Sequence, residues 1–299
     1  NSNPFTFISK LTKEAISESG SPHYLFFENK HGFHFKTLQF LYKEAQEQGV
    51  RGEFHSGDKG FDEETTSDPE SGKIMQNMKR ILQYSIKTTK DMLVNTTAGL
   101  FGGNVIEYNL YSKKYTKKTY NYFSDEDFGA NERISDNRQY TTNAVESIET
   151  LDDEQTTESN VHLIPISREG EVDKNYESGT PNQRNKTLLD RKSRFVEYTD
   201  GISINVTIHG QTTLTVGDMV NLSIPAVGSA DENEDKLYSG AYLITKLRHT
   251  FDLPIRTHVI HMQLTKDGLG ESLGGVQQST PIPPPTKQSK FVSPNSGPR

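Results

Sequence analysis

The chain has 299 residues and no cysteine, which excludes disulfide staples, thiol nucleophiles and Cys-ligated zinc or iron–sulfur sites. A net charge of -7 argues against a general duplex-binding surface, while 15 Phe and 13 Tyr still supply aromatic mass for a core. No apolar run approaches the roughly 20 residues of a membrane-spanning helix and no basic-then-apolar leader is present, so a soluble protein, intracellular or particle-borne, is expected.

The chain opens Asn1-Ser2-Asn3-Pro4 without an initiator methionine, so an upstream segment is expected to have been removed or left out. Residues 1–50 predict an α+β segment, a helix plus a hairpin. Phe7, Ile8 and Leu11 lie at helical spacing, Ala15 and Ile16 extend the stripe, and Gly20 and Pro22 stop it. Residues 24–28 and 33–36 read as strands around the turn Asn29-Lys30-His31-Gly32, and 37–47 as a second short helix. Residues 51–73 are polar, carry Gly52, Gly57, Gly60, Pro69 and Gly72, and read as a linker.

Residues 74–130 and 195–268 predict a tube-type β-barrel domain. Ile81, Leu82, Tyr84 and Ile86 suggest a strand that runs on through Met92-Leu93-Val94 to a turn at Gly99-Leu100-Phe101-Gly102-Gly103. Ile106, Tyr108 and Leu110 then alternate with polar residues, and Tyr120, Tyr122 and Phe123 mark a partner strand. The strongest period of two in the chain is Ile202, Ile204, Val206 and Ile208. Residues 213–216, 220–224, 241–247 and 257–264 supply four more strands.

Between these halves, residues 131–194 predict an acidic loop and a connecting helix. Residues 124–160 alone hold 11 carboxylates against Arg133 and Arg138, too polar to order unaided. A helix over 182–198 puts Leu188, Phe195 and Tyr198 on one side, with Lys186, Arg191, Lys192 and Arg194 mostly off it. Residues 269–299 form a Pro-rich extended C-terminal tail, with polyproline character around 281–285. The fold class is thus α+β, mainly β: an antiparallel β-barrel or sandwich tube domain, a small α+β domain beside it, and long polar loops.

Each chemical motif has a plainer reading. His258 and His261 are three apart on a strand and point to opposite faces, as His31 and His34 do around the hairpin turn, so neither pair is expected to share a metal. Asp231-Glu232-Asn233-Glu234-Asp235 lacks the glycine and terminal glutamate of an EF-hand loop and reads as a solvated tip. Glu63 and Glu64 with Asp68 and Glu70 offer carboxylates for glycoside hydrolysis, but sit in a polar linker without an apolar pocket to raise one pKa. Gly99 to Gly103 is followed by neither a helix nor Lys-Ser/Thr, unlike a phosphate cradle. Lys113, Lys114, Lys117 and Lys118 interleave with Tyr111, Tyr115 and Tyr120, which suits a protected sheet edge better than a single-strand nucleic-acid platform. No catalytic, cofactor-binding or metal-binding residue is expected, and the chain is expected not to be an enzyme.

Pro4-Phe5-Thr6-Phe7-Ile8-Ser9-Lys10-Leu11 followed by Tyr24-Leu25-Phe26-Phe27-Glu28 resembles the entry to the α+β segment of contractile-tail hub proteins. Val216-Gly217-Asp218-Met219-Val220-Asn221-Leu222-Ser223-Ile224-Pro225 and Ser239-Gly240-Ala241-Tyr242-Leu243-Ile244, with His249 after it, resemble the last barrel of the same family. The resemblance covers roughly residues 4–130 and 185–268. It is to the central baseplate hub proteins of T-even-type contractile-tailed bacteriophages and, more distantly, to type VI secretion spike proteins.

This resemblance implies a structural homotrimer in the virion, assembled in the host cytoplasm, whose ring joins a tail tube or tube-initiator protein to the tail spike protein. Baseplate wedge proteins are further possible partners, phage DNA passes through without specific binding, and no membrane or cofactor is involved. Family members carry two barrels, and the α+β entry follows the first. Here that entry stands at the N-terminus, so one barrel is expected. The alternatives are a type VI-like spike base and a tail-associated peptidoglycan or carbohydrate hydrolase.

Overall fold

The computed structural model describes residues 3–56, 74, 76–87, 91–110, 113, 115–130, 132–135, 137–140, 160–166, 181–226 and 234–270. Strand outweighs helix, 41% to 26%, so the fold is mainly β. Helix α1 (Pro4–Glu14) begins where the Asn3 side chain accepts the Phe5 N–H, with proline in its first turn. Strands β1 (Tyr24–Asn29) and β2 (Gly32–Thr37) pair antiparallel with Phe26 opposite Phe35. Helix α2 (Leu38–Gln48) follows directly, capped by the Thr37 hydroxyl, which accepts the Phe40 N–H.

The largest sheet has six strands: β3 (Gly52–His55), β4 (Ile81–Ile86), β8 (Ile202–His209), β9 (Met219–Ser223), β10 (Gly240–Asp252) and β11 (Thr257–Lys266). Their order is β3-β9-β10-β11-β8-β4. The sheet curls until its two outer strands meet at a parallel bridge between His55 and Arg80. Alternation explains the curl's dry interior. Ile204, Val206 and Ile208 point inward with Ile260, Met262 and Leu264 of the neighbouring strand, while Asn205 and Thr207 point out. Each fully buried side chain of this size contributes about 1.5–3 kcal/mol.

A second sheet has the order β6-β5-β7, from β5 (Gly102–Asn109), β6 (Tyr115–Asn121) and β7 (Val161–Ile166). The long helix α5 (Pro181–Asp200) packs against its inner face through Leu189 and Val196. Phe101, Tyr122 and Tyr140 meet there edge to face.

Several expectations are corrected. Residues 102–121 do not join the barrel: β5 pairs with β6 and, in parallel, with β7 of the presumed acidic loop. Residues 52–55 are not linker but strand, and β3 runs parallel to β9, so the barrel sheet is mixed rather than antiparallel. Met92–Ala98 is a helix (α3) rather than strand, because Asp91 caps its start at the Val94 N–H and Gly99 ends it in the left-handed conformation. Residues 213–216 form no strand; Asp218 accepts the Thr215 N–H and Gly217 takes φ 93°, folding the segment into a turn.

The acidic region also departs from a mobile loop where it is described. Asp125–Phe128 is a short helix (α4), and residues 132–135 and 137–140 are pinned by buried hydrogen bonds. Leu269 bridges to Asn137 and Gly270 donates to the Leu237 carbonyl, so the first tail residues are part of the fold. Residues 57–73, 141–159, 227–233 and 271–299, which carry most of the predicted linker, acidic loop, acidic tip and tail, lie outside the described residues.

Candidate functional site

The two barrel segments singled out by sequence become neighbours. Val220 pairs with Tyr242 and Leu222 with Gly240, so β9 and β10 are adjacent strands of one wall. The glycines between them have separate causes. Gly217 has a positive φ and lies where a Cβ would press on the Phe27 ring at 2.9 Å; Gly240 has φ 117°. The Gly217 N–H donates to the Ile244 carbonyl, and the Ile244 N–H to the Asp218 carbonyl, which locks the turn onto β10. Ser239 closes the other end by accepting the Ile224 N–H.

The N-terminal unit seats on this wall. Leu38, Leu41 and Tyr42 of α2 pack with Met219 and Leu243, while Leu25 and Phe27 of β1 join the same cluster. Between hairpin and wall lies a crevice of about 760 Å³ lined by Lys30, His34, Lys36, Glu44, Arg51 and Asp218, among others. Most of its charges are bound within the fold. Lys30 donates to the Thr212 and Thr213 carbonyls, Lys36 to Glu44 at 2.9 Å, and His34 bonds Asn29. Burial raises the Asp218 carboxyl above its ordinary value.

The joint between the two sheets is ionic. Helix α5 turns Asp190, Ser193, Arg194 and Glu197 inward, a polar stripe at helical spacing, whereas Leu188 is exposed. Of the expected apolar side, Tyr198 packs into the core and Phe195 is partly buried, but Leu188 is exposed and the charges expected outside include the buried Arg194. Arg133 Nη1 donates to Glu197 at 2.6 Å, and the Tyr122 hydroxyl donates to the other carboxylate oxygen at 2.9 Å. Arg194 stands 3.3 Å from Asp267, whose carboxylate also accepts the Ile134 N–H. Burial pushes Glu197 upward, with Arg133 opposing it. Burial disfavours the Arg133 charge too, but Glu197 and Asp267 outweigh that and raise its pKa. Two arginines and two carboxylates balance, so the interior holds charges without a net one.

The same helix clamps the hairpin entry. Arg191 donates to the Pro22 carbonyl at 2.8 Å and stacks over Phe195. Burial lowers its guanidinium to about 10. Asp190 lies 3.5 Å from the buried His23.

The weighed sequence motifs do not converge. His261 bonds Thr207 on one face of β11 and His258 meets His249 on the other, as strand parity requires. Glu234 accepts the Ser223 hydroxyl and Asp235 accepts the Leu237 and Tyr238 N–H groups, a structural use of that segment's acids. Glu63, Glu64, Asp68 and Glu70 lie outside the described residues. Gly103 accommodates the close approach of the Asn160 carbonyl and Leu189. Lys118 on the outer strand β6 pairs with the buried Glu107. Among the described residues no group of three or more potential metal ligands occurs, and no helix is long and apolar enough to cross a membrane.

What the surface does present is unburied apolar area. Phe5, Phe7 and Leu11 of α1, Phe33 and Phe35 of β2, and Phe40 of α2 are all exposed. Phe251, Leu253 and Ile255 are exposed at the end of the β10–β11 hairpin.

No protein-family model matches the chain, and no curated protein matches it. Among solved structures it is similar to the tail protein from Neisseria meningitidis MC58, at 10% identity and a TM-score of 0.34. That likeness covers 74% of this chain and 45% of the other, so the chain spans less than half the length of that protein.

Proposed function

We propose that the protein is a non-enzymatic structural hub of a contractile phage tail baseplate. It forms a homotrimeric ring that joins the tail tube, or its initiator protein, to the central spike, and lets DNA pass without specific binding. Baseplate wedge proteins are additional contacts. The protein acts in the virion after assembly in the host cytoplasm, and it needs no cofactor.

The observation that carries this reading is the adjacency of β9 and β10. These strands hold the residues that resemble the hub family, and they share one wall of a curled sheet, with Gly217, Asp218 and Ser239 at its corners. Exposed phenylalanines on the N-terminal unit and on the hairpin end supply apolar area of the kind an assembly component covers with neighbours. The sealed polar joint supports a rigid part: its charged groups bind one another rather than face a cleft.

Negative-stain imaging of the purified protein tests the proposal. A threefold ring with a central hole is expected. Cell-wall clearing that disappears on Glu63→Gln or Glu64→Gln would overturn the non-enzymatic assignment.

A further inference from the structure

We propose that His249 and His258 form a chelating site for a divalent transition metal ion of tetragonal or octahedral preference, copper(II) or nickel(II), near the end of the β10–β11 hairpin. The site is independent of the hub reading.

The hairpin outruns its sheet. Strand β9 pairs with β10 only as far as Leu243, and β8 reaches β11 only at Val259. Past the last bond on the β8 side, from the Gly210 N–H to the His258 carbonyl, β10 and β11 run on as a two-stranded tip through the pair Asp252 and Thr257. In this register Phe251 lies opposite His258 and His249 opposite Ile260, so His249, Phe251 and His258 share one face.

On that face His249 Nδ1 lies 3.0 Å from His258 Nε2. Two imidazole nitrogens that are each about 2.0–2.1 Å from one ion and this far apart subtend about 95° at it. A tetrahedral ion asks for about 109°, and hence a wider spacing; a tetragonal or octahedral ion asks for about 90°. The separation suits copper(II) or nickel(II) without rearrangement of the rings.

The rings are also held in place before any ion arrives. The Phe251 ring stacks on His258 at 4.1 Å and 15°. The Gly210 N–H donates to the His258 carbonyl, and Gly210 lies so close that any Cβ there would overlap the imidazole. Among the described residues neither ring has another hydrogen-bond partner. Without an ion, one imidazole N–H donates to its neighbour. With one, both rings carry their proton on the far nitrogen and turn their near lone pairs to the metal, so no proton need be released. The remaining coordination positions go to water or to an external ligand. An ion here staples β10 to β11 where β9 no longer pairs with β10.

The test is titration of the full chain, stripped with chelator, with copper(II) or nickel(II) chloride in a calorimeter, together with electron paramagnetic resonance of the copper form. One ion per chain is expected, with nitrogen superhyperfine structure in the spectrum. Both signals should vanish in His249→Ala and in His258→Gln and persist in His261→Ala, which alters the opposite face. All three substitutions are at partly or wholly exposed positions, and circular dichroism checks that the fold is kept. Unchanged stoichiometry and spectrum in the His249 and His258 variants, or no binding by the parent chain, would overturn the proposal.

Discussion

Arg133 and Glu197 meet at 2.6 Å with side chains 2% and 0% exposed, 64 residues apart in sequence. This pair, with Tyr122, Arg194 and Asp267 around it, joins α5 to the end of β11 and to the segment after α4. Desolvating four charges offsets much of their attraction, so the intact joint adds little net stability compared with the cost of breaking it.

Removing one member leaves the other charged and buried. Arg133→Ala is expected to cost about 3–5 kcal/mol. Urea unfolding followed by circular dichroism measures it. A loss within the range of an exposed pair, below about 1 kcal/mol, would contradict the sealed-joint description.

His23 makes stability depend on pH. Burial lowers its pKa below 6.5, against the pull of Asp190, while Arg194 and Arg133 add to the lowering. The folded protein therefore binds this proton less readily than the unfolded chain does. The contribution is complete above pH 6.5 and is lost as pH falls from there toward the folded value. Melting temperatures at pH 7.5 and 5.5 should differ less in His23→Gln than in the parent. An equal difference in both would assign the acid sensitivity to other groups.

Gly217→Ala tests the turn that locks β9 to β10. A side chain at φ 93° costs roughly 1–2 kcal/mol, and its Cβ also meets the Phe27 ring at 2.9 Å. Destabilisation of at least that size is expected in urea, together with loosening of the hairpin against the wall, seen as faster amide exchange in β1.

Lys266 sits at the barrel's end, where its ammonium donates to the Leu237 and Ser239 carbonyls at 2.8 and 3.1 Å and lies over the Tyr242 ring. Burial lowers its pKa to about 8. Lys266→Met keeps the stem and removes the ammonium donor from both carbonyls, of which Leu237 keeps the Gly270 N–H, for an expected loss of about 1–3 kcal/mol. Thermal unfolding reads this directly, and a neutral substitution would show that water serves the carbonyls as well.

The elements legible in the sequence are those whose patterning is local. The Ile202 to Ile208 alternation, the paired runs around His31 and the helix over 182–198 each carry their own period. What was not legible depends on distant partners. Strand β3 is four residues long, and its parallel match to β9 lies more than 160 residues away, so nothing local marks Phe54 as core. Residues 102–121 have the alternation of barrel strands, but periodicity does not say which sheet a strand joins; the parallel partner β7 decides it. The ionic joint was hidden because Arg194 and Glu197 look like solvent-facing charges until Asp267 and Arg133 are brought to them. One signal was available: Asp190, Arg194 and Glu197 recur at helical spacing with Ser193, a coherent polar stripe rather than scattered surface charge.

The proposed hub is a ring built from copies of this chain. Light scattering coupled to size exclusion, run over a range of concentrations, tests it most directly. The account predicts a particle of three times the 33.7 kDa chain mass. A particle of one chain mass at every concentration would contradict it.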